Sequence, residues 1–222
     1  MKKSLTRFIL YDIFSSHMPE ILIQWHGTDV GKLYQFLPGM SKMGIVLYRW
    51  FWRRMTKLTN LTCLMNTPRM FPILKEFGFK RIEYREAPWA KKRYDVKEYV
   101  TSHLVILFYI RQKFNLKYEN WIYGKDYLLA LKKNMPEVEW LLVTGDDDMR
   151  KIYPHVDCYI KINRMPHSDR NKINKECEYN DIPERAFDVW NKTFEESIKE
   201  ITEWINTNRD IWFTNKENKG SF

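Results

Sequence analysis

Residues Ile21–Lys32 read ILIQWHGTDVGK, an apolar run that stops abruptly at His26-Gly27-Thr28-Asp29. An apolar run of this length that does not return as a hairpin is typical of a buried strand in a parallel sheet. Ligands of open α/β sheets bind at the carboxyl ends of the strands, where Gly27 allows the backbone a sharp turn. His26, which can exchange a proton, and Asp29, which can accept hydrogen bonds, are therefore candidate site residues. The alternative is a strand-end turn in which Asp29 caps a helix and His26 packs.

Strand-like and helical segments alternate on either side of a polar connection, WAKKRYDVKEYVTS. Before it come EILIQWH, the basic helical MGIVLYRWFWRRMTKL, LTCLMNT, the helical PRMFPILKEFG and KRIEYREAP. After it come HLVILFYI, the helical GKDYLLALKKNM, EWLLVTGDDD, DCYIKI and a helix from about Asn171. This alternation predicts an α/β fold with two Rossmann-like parallel-sheet domains.

The predicted organisation has three parts. Residues 1–95 form a first Rossmann-like domain and residues 96–183 form a second. Residues 184–222 contain the stretch AFDVWNKTFEESIKEITEWI, in which apolar residues from Trp190 to Ile205 recur at helical spacing. We expect a long amphipathic helix there, packed back on the fold, followed by a polar tail.

Charge and cysteine content narrow the class of partner and the compartment. The chain has 37 Lys and Arg against 28 Asp and Glu, a formal net charge of +9, which favours an anionic partner. Its three cysteines are widely spaced and form no C-x-x-C pair, which indicates neither a disulfide framework nor a zinc knuckle. The expected location is the cytoplasm, and the apolar run 103–110 is far too short to span a bilayer.

A second strand end, LLVTGDDD, places Gly145 before three aspartates, Asp146–Asp148. Paired carboxylates can hold a divalent metal. Solvated turn residues that cap the next helix are the preferred interpretation, so no metal is predicted.

A third strand end lies in KINRMPHSDRNKINKECEYNDIP, where a strand stops at Asn163 and a helix follows. Arg164, His167 and Arg170 surround this junction, and a helix N-terminus already favours anions. The segment therefore predicts a diphosphate site, with Glu176 on the helix as an acceptor for ribose hydroxyls. A solvated charged helix remains the alternative.

The order of these motifs resembles the two-domain GT-B glycosyltransferases, specifically the retaining family-four group (glycosyl transferases group 1). HGTDV is similar to that family's first-domain loop, TCLMNTPRMFPILKEFGFKRIEYREAPW to the end of its first domain, and YGKDYLLALKKNMPEVEWLLVTG to its second domain. Glu176 precedes Pro183 by seven residues, the family's interval for its donor-binding glutamate. Ser168 stands where the family has another glutamate and Tyr123 where it has a lysine, which leaves Lys125 as the substitute.

The resemblance implies a metal-independent, retaining hexosyltransferase with an abridged first domain and no cofactor. A nucleotide diphosphate sugar would be the donor, and the acceptor would be a lipid-linked molecule, a glycan or a protein. The implied donor-binding residues are Glu176, Arg164, Arg170, Lys125, Gly145 and His167. His26 would contact the transferred sugar, and Asp29 would support it or the acceptor.

Residues 42–58 carry five basic residues, no acids and three adjacent aromatics, Trp50, Phe51 and Trp52. This composition suits an anionic membrane surface, to which the protein would be peripheral. A core helix with a basic solvent face explains it equally well. Two other functions stay open: a nucleic-acid-binding protein without catalysis, which no motif supports, and an inactive relic that binds sugar nucleotides.

Overall fold

The chain folds as two compact α/β units. The first comprises residues 1–88 with 167–169, and the second comprises residues 89–166 with 170–222. The computed structural model describes residues 20–85, 103–110, 117–144, 147–168 and 172–219. The predicted domain boundary at residue 95 lies outside these ranges. Each unit has its own all-parallel sheet, which confirms the predicted α/β class.

The first unit follows the predicted alternation closely. Its elements in chain order are β1 (Ile21–Trp25), α1 (Gly27–Tyr34), α2 (Lys42–Met55), β2 (Leu61–Met65), a 3-10 turn (Pro68–Met70), α3 (Phe71–Phe77) and β3 (Arg81–Tyr84). The sheet order is β1-β2-β3, and the central strand β2 is buried along its whole length. Pro68 opens the 3-10 turn, and Gly78 ends α3 in the left-handed conformation.

The second unit contains four strands and five helices within the described ranges. They are β4 (Val105–Tyr109), α4 (Lys117–Ile122), α5 (Lys125–Asn134), β5 (Glu139–Val143), α6 (Met149–Ile152) with a 3-10 turn (Tyr153–His155), β6 (Cys158–Asn163), α7 (Lys172–Tyr179), β7 (Glu184–Asp188) and α8 (Phe194–Lys219). The strand order is β5-β4-β6-β7.

Helices cover both faces of the second sheet. Alternate residues of β4 point to opposite faces, so Ile106 and Phe108 enter one core while Leu107 enters another. The first core includes apolar side chains of α5 and α8, and the second includes those of α7 and the 3-10 turn. Two covered faces explain why β4 reads as a continuous apolar run rather than an alternating one.

The prediction of a helix throughout the segment that begins at residue 184 is wrong at its start. Glu184–Asp188 form β7, which pairs in parallel with β6, and α8 begins only at Phe194. Trp190 lies in the intervening turn and is 47% exposed. From Phe194 onward the predicted amphipathic pattern is confirmed, because Ile198, Ile201 and Ile205 are buried in the core.

All three cysteines are buried thiols, which leads to a prediction for alkaline pH. Burial raises the pKa of Cys63 to about 11 and raises the pKa values of Cys158 and Cys177 well above the usual range. The native thiols stay protonated at pH 9, where those of the unfolded chain ionise. The resulting stability is therefore fully present below about pH 8.5 and declines as the pH rises toward the native pKa values.

We expect the free energy of unfolding to fall by about 1 kcal/mol per buried thiol between pH 7 and pH 9. Urea titrations at both pH values measure this loss. Labelling with a thiol reagent at pH 8 supplies the control, since the native protein should react far more slowly than the protein in urea. Equal reaction rates in the two states would contradict the prediction.

Candidate functional site

The carboxyl end of β1 presents His26 to solvent. His26 occupies the N-cap position of α1, its side chain is exposed, and its carbonyl accepts the amides of Asp29 and Val30 at 3.0 and 3.1 Å. Asp29 lies in the first helical turn, where its Oδ1 atom is 3.0 Å from Lys32 Nζ. The alternative with Asp29 as the cap and His26 packed is therefore wrong. His26 stays available at the strand end, as the site prediction requires.

Tyr48 holds the backbone behind this loop. Its hydroxyl donates to the carbonyl oxygen of Asp29 at 3.3 Å. Burial, followed by the negative charge of Asp29, raises the pKa of Tyr48 above the range in which a tyrosine normally ionises. The phenol thus remains a neutral donor that fixes the start of α1.

His167 is fully buried and belongs to the first unit together with Ser168. Its Nδ1 atom is 2.9 Å from the hydroxyl of Tyr34, and the two rings meet edge-on at 5.5 Å between centroids. Burial raises the pKa of Tyr34 to about 12. Ser168 accepts a hydrogen bond at its carbonyl from Arg69 at 3.1 Å. His167 therefore has an aromatic partner that the sequence did not reveal.

The aspartates after β5 behave as turn and cap residues where they are described. Asp148 is the N-cap of α6 and accepts the amide of Arg150 at 3.2 Å, and Asp147 accepts the amide of Thr144. Gly145 and Asp146 lie outside the described residues. Among the described residues, no three His, Cys, Asp or Glu side chains converge as metal ligands would.

Arg164 directly follows β6 and sits in an aromatic and acidic surrounding. Its guanidinium lies 4.7 Å from the ring centre of Tyr127 and 5.2 Å from that of Trp121, and it pairs with both carboxylate oxygens of Asp126. The side chain is only 12% exposed. Its Nε atom is buried and has no acceptor within the described part of the chain. The guanidinium is thus held by the Asp126 carboxylate and two aromatic rings, and at least its Nε–H donor is not used by the described residues.

The N-terminus of α5 is pressed against the end of β6. Gly124, the N-cap of α5, adopts a φ of 71°, and an added Cβ atom would lie 2.8 Å from the Cβ and Cγ1 atoms of Ile162. The first helical amides have no partner inside the helix and carry its positive dipole end. Lys125 is exposed at the first helical position. The guanidinium of Arg164, the N-terminus of α5 and the side chain of Lys125 are therefore three sources of positive potential at this edge of the sheet.

This cluster lies at the point where the strand order of the sheet reverses, between β4 and β6. The strands β5 and β4 are neighbours on one side of the reversal, and β6 and β7 are neighbours on the other. Connections from β4 and β6 therefore leave toward opposite faces and open a crevice at the carboxyl ends of these two strands. Tyr109, the last residue of β4, contacts Tyr123 edge-on at 5.2 Å between ring centres.

Glu176 is buried inside the second unit rather than exposed on α7. It is 3% exposed, and its Oε2 atom accepts the hydroxyl of Tyr153 at 2.7 Å. Its Oε1 atom is 3.3 Å from Lys172 Nζ. Both carboxylate oxygens have partners, so a ribose hydroxyl would have to share or replace one of them. Arg170, predicted to lie with Arg164 and His167 at the junction before this helix, is outside the described residues.

No family model, curated protein or solved structure matches this chain. The site is therefore defined by its own geometry. In the described ranges, none of the helices is both long enough and apolar enough to cross a membrane.

The sequence did not reveal which side chains contact the predicted site residues Arg164 and Glu176. Asp126, Trp121 and Tyr127 surround Arg164, and Tyr153 binds Glu176. Asp126 alone carried a usable signal, because an acidic residue in a first helical turn marks a helix N-terminus. The aromatic partners carried none, since their approach depends on how helices pack against β6.

Proposed function

We propose that this chain is a glycosyltransferase that moves a sugar from a nucleotide diphosphate donor to an acceptor, without a metal ion and with retention of configuration. The observation that carries the proposal is the reversal of strand order between β4 and β6, with Arg164 and the N-terminus of α5 at its carboxyl edge. Doubly wound sheets bind nucleotides at this position. The two-domain GT-B assignment rests on the sequence resemblance together with the presence of two parallel sheets.

The electrostatics of this edge suit a diphosphate. Arg164 supplies a guanidinium, whose planar donors match phosphate oxygens, and α5 supplies N-terminal amides with a partial positive charge. Lys125 adds a mobile positive charge at the same helix end. Asp126 neutralises part of this potential, so the edge would be less strongly positive than Arg164 alone suggests.

In the proposed reaction the leaving diphosphate develops negative charge, which fixed positive groups stabilise more strongly than mobile water does. The bond from the anomeric carbon to the diphosphate oxygen breaks, and the acceptor hydroxyl oxygen forms the new bond to that carbon. The hydroxyl proton passes to the departing diphosphate. Glu176 is assigned to the ribose, while His26 and Asp29 are assigned to the transferred sugar or the acceptor, following the sequence resemblance.

A ligand screen tests the proposal. Thermal unfolding would be measured with UDP, GDP, ADP, CDP and their common sugar conjugates, because a ligand that binds only the folded state raises its stability. We expect one nucleotide diphosphate to raise the midpoint temperature by several degrees when present at about 100 times its dissociation constant. Its sugar conjugate should then be consumed in the presence of an acceptor mixture.

The variant Glu176→Gln sharpens this test, because the amide oxygen still accepts the Tyr153 hydroxyl while the charge is lost. We expect about tenfold weaker donor binding by calorimetry. Glu178→Gln, an exposed position two residues further along α7, is the matched control and should bind normally. Binding without turnover would support the inactive relic. Stabilisation by oligonucleotides alone, with a steep salt dependence, would overturn the proposal in favour of nucleic-acid binding.

A further inference from the structure

Helix α2 exposes a row of large apolar side chains. Met43, Val46, Leu47 and Trp50 are 68, 50, 44 and 57% exposed, and their spacing of three and four residues puts them on one side of the helix. We call these four residues the exposed stripe. Single apolar residues on a surface are ordinary, but a continuous row over two turns indicates a contact surface.

The exposed stripe is not the side of α2 that packs on the protein. Ile45, Phe51 and Met55 are buried, and Phe51 and Met55 enter the core of the first unit. Trp52 packs beside them, with its ring 4.7 Å from that of Trp25. The sequence could not separate a core helix from a membrane-binding helix because α2 has two apolar sides. The structure assigns one side to the core and leaves the other to solvent.

Positive charge borders the exposed stripe. Lys42, Arg53, Arg54 and Lys57 are exposed, and the guanidinium of Arg54 lies 5.2 Å from the ring centre of Trp50. No aspartate or glutamate occurs anywhere in the sequence between Asp29 and Glu76. A partner of α2 should therefore be both apolar and anionic.

We propose that the exposed stripe and its flanking basic residues dock on an anionic lipid surface, with α2 lying in the plane of the interface. The aliphatic side chains and Trp50 would enter the boundary between headgroups and acyl chains. Arg53, Arg54 and the neighbouring lysines would contact the anionic headgroups. This inference stands apart from the proposed transferase reaction, because it uses no residue of the candidate site.

Charge complementarity selects lipid over two other occupants. A second copy of the chain would bring two basic faces together, since neither copy offers an acidic group between Asp29 and Glu76. A nucleic acid would engage the arginines but gain little from Met43, Val46 and Leu47, which offer no flat ring for a base. Of these three occupants, the anionic lipid surface is the one that uses the apolar and the basic part together.

Vesicle flotation of the full chain tests the proposal. One set of vesicles contains phosphatidylcholine alone, and the other also contains about 30 mol% of the anionic lipid phosphatidylglycerol. We expect binding to the anionic vesicles only, and weaker binding at high salt. The variant Leu47→Ser/Trp50→Ser should lose most of it. The matched control Leu129→Ser/Trp190→Ser changes the same residue types at exposed positions of the second unit and should bind normally.

A charge variant separates the electrostatic part of vesicle binding from the apolar part. Arg53→Gln/Arg54→Gln should lower partition onto anionic vesicles about 25-fold, since each basic residue near the surface contributes about fivefold. Circular dichroism should confirm that all variants fold. Binding that is equal for both lipid compositions, or unchanged in the serine variant, would overturn the proposal. So would a shift from dimer to monomer in the serine variant with no change in vesicle binding.

Insertion is measured independently at the exposed stripe. Met43→Cys can be labelled with an environment-sensitive fluorophore, because the three native cysteines are buried. Anionic vesicles should shift its emission to the blue, and brominated acyl chains should quench it. A label that oligonucleotides shift as strongly as vesicles, or that already reports an apolar environment without vesicles, would contradict lipid docking.

Discussion

Replacing Gly124 with alanine is expected to lower the free energy of unfolding by about 2–5 kcal/mol. The left-handed backbone at φ 71° costs a residue with a Cβ atom about 1–2 kcal/mol. The new methyl group would also lie 2.8 Å from two atoms of Ile162, and overpacking of this kind typically adds about 1–3 kcal/mol. Urea titration of the purified variant measures the sum.

Gly78→Ala is the control that separates strain from overpacking. Gly78 also has a positive φ, of 115°, but its added Cβ atom would meet Thr56 at 3.5 Å or more, an ordinary contact distance. We therefore expect Gly78→Ala to lose only the conformational part. If Gly124→Ala loses no more than the ~1–2 kcal/mol that a left-handed backbone costs, the close approach of α5 to β6 has no energetic consequence, which would contradict the packing of the α5 N-terminus against β6.

Most of the fold could be predicted from the sequence because parallel strands that are buried on both faces consist of continuous apolar residues. HLVILFYI became β4 and LTCLMNT became β2 for this reason. β7 was not predicted because its sequence, ERAFD, carries charges at three of five positions. Its neighbours also fit another pattern, since Trp190 and Phe194 continue the helical spacing of α8 toward the N-terminus. A local pattern of this kind says nothing about pairing with β6.

The candidate site was predictable in position but not in contacts. The rule that ligands meet strand ends led to His26 and Arg164, and both residues lie at such ends. The rule could not show that Glu176 would be buried against Tyr153, or that His167 would contact Tyr34, because these pairs are 23 and 133 residues apart in the chain. Such contacts depend on how the elements pack.

The second large effect is expected at Arg164. If the proposed diphosphate site is correct, Arg164→Ala should weaken binding of the stabilising nucleotide diphosphate about 100-fold, because a charge-assisted hydrogen bond in a largely desolvated place contributes about 1.5–3 kcal/mol. Arg164→Lys keeps the charge but loses the planar donors, so a loss of about tenfold is expected. Calorimetry at constant salt gives both values.

Arg185→Ala is the matched control for this loss. Arg185 also stacks on aromatic rings, 4.7 Å from the ring centre of Phe187, and pairs with Glu200 at 3.3 Å, but it lies near the beginning of β7 rather than at a carboxyl end. It should therefore lose stability without losing nucleotide affinity. Equal affinity losses in Arg164→Ala and Arg185→Ala would mean that the effect is structural.

Asp126→Asn tests the same site in the opposite direction. The carboxylate of Asp126 competes with any anionic ligand for the guanidinium of Arg164, and its removal leaves an amide that can still accept a hydrogen bond. We expect the affinity for the nucleotide diphosphate to rise severalfold in Asp126→Asn while it falls in Arg164→Ala. A general loss of folding would lower both affinities. Opposite changes therefore require that the anion binds at Arg164. Unchanged affinity in both folded variants would show that the diphosphate does not bind at this edge of the sheet.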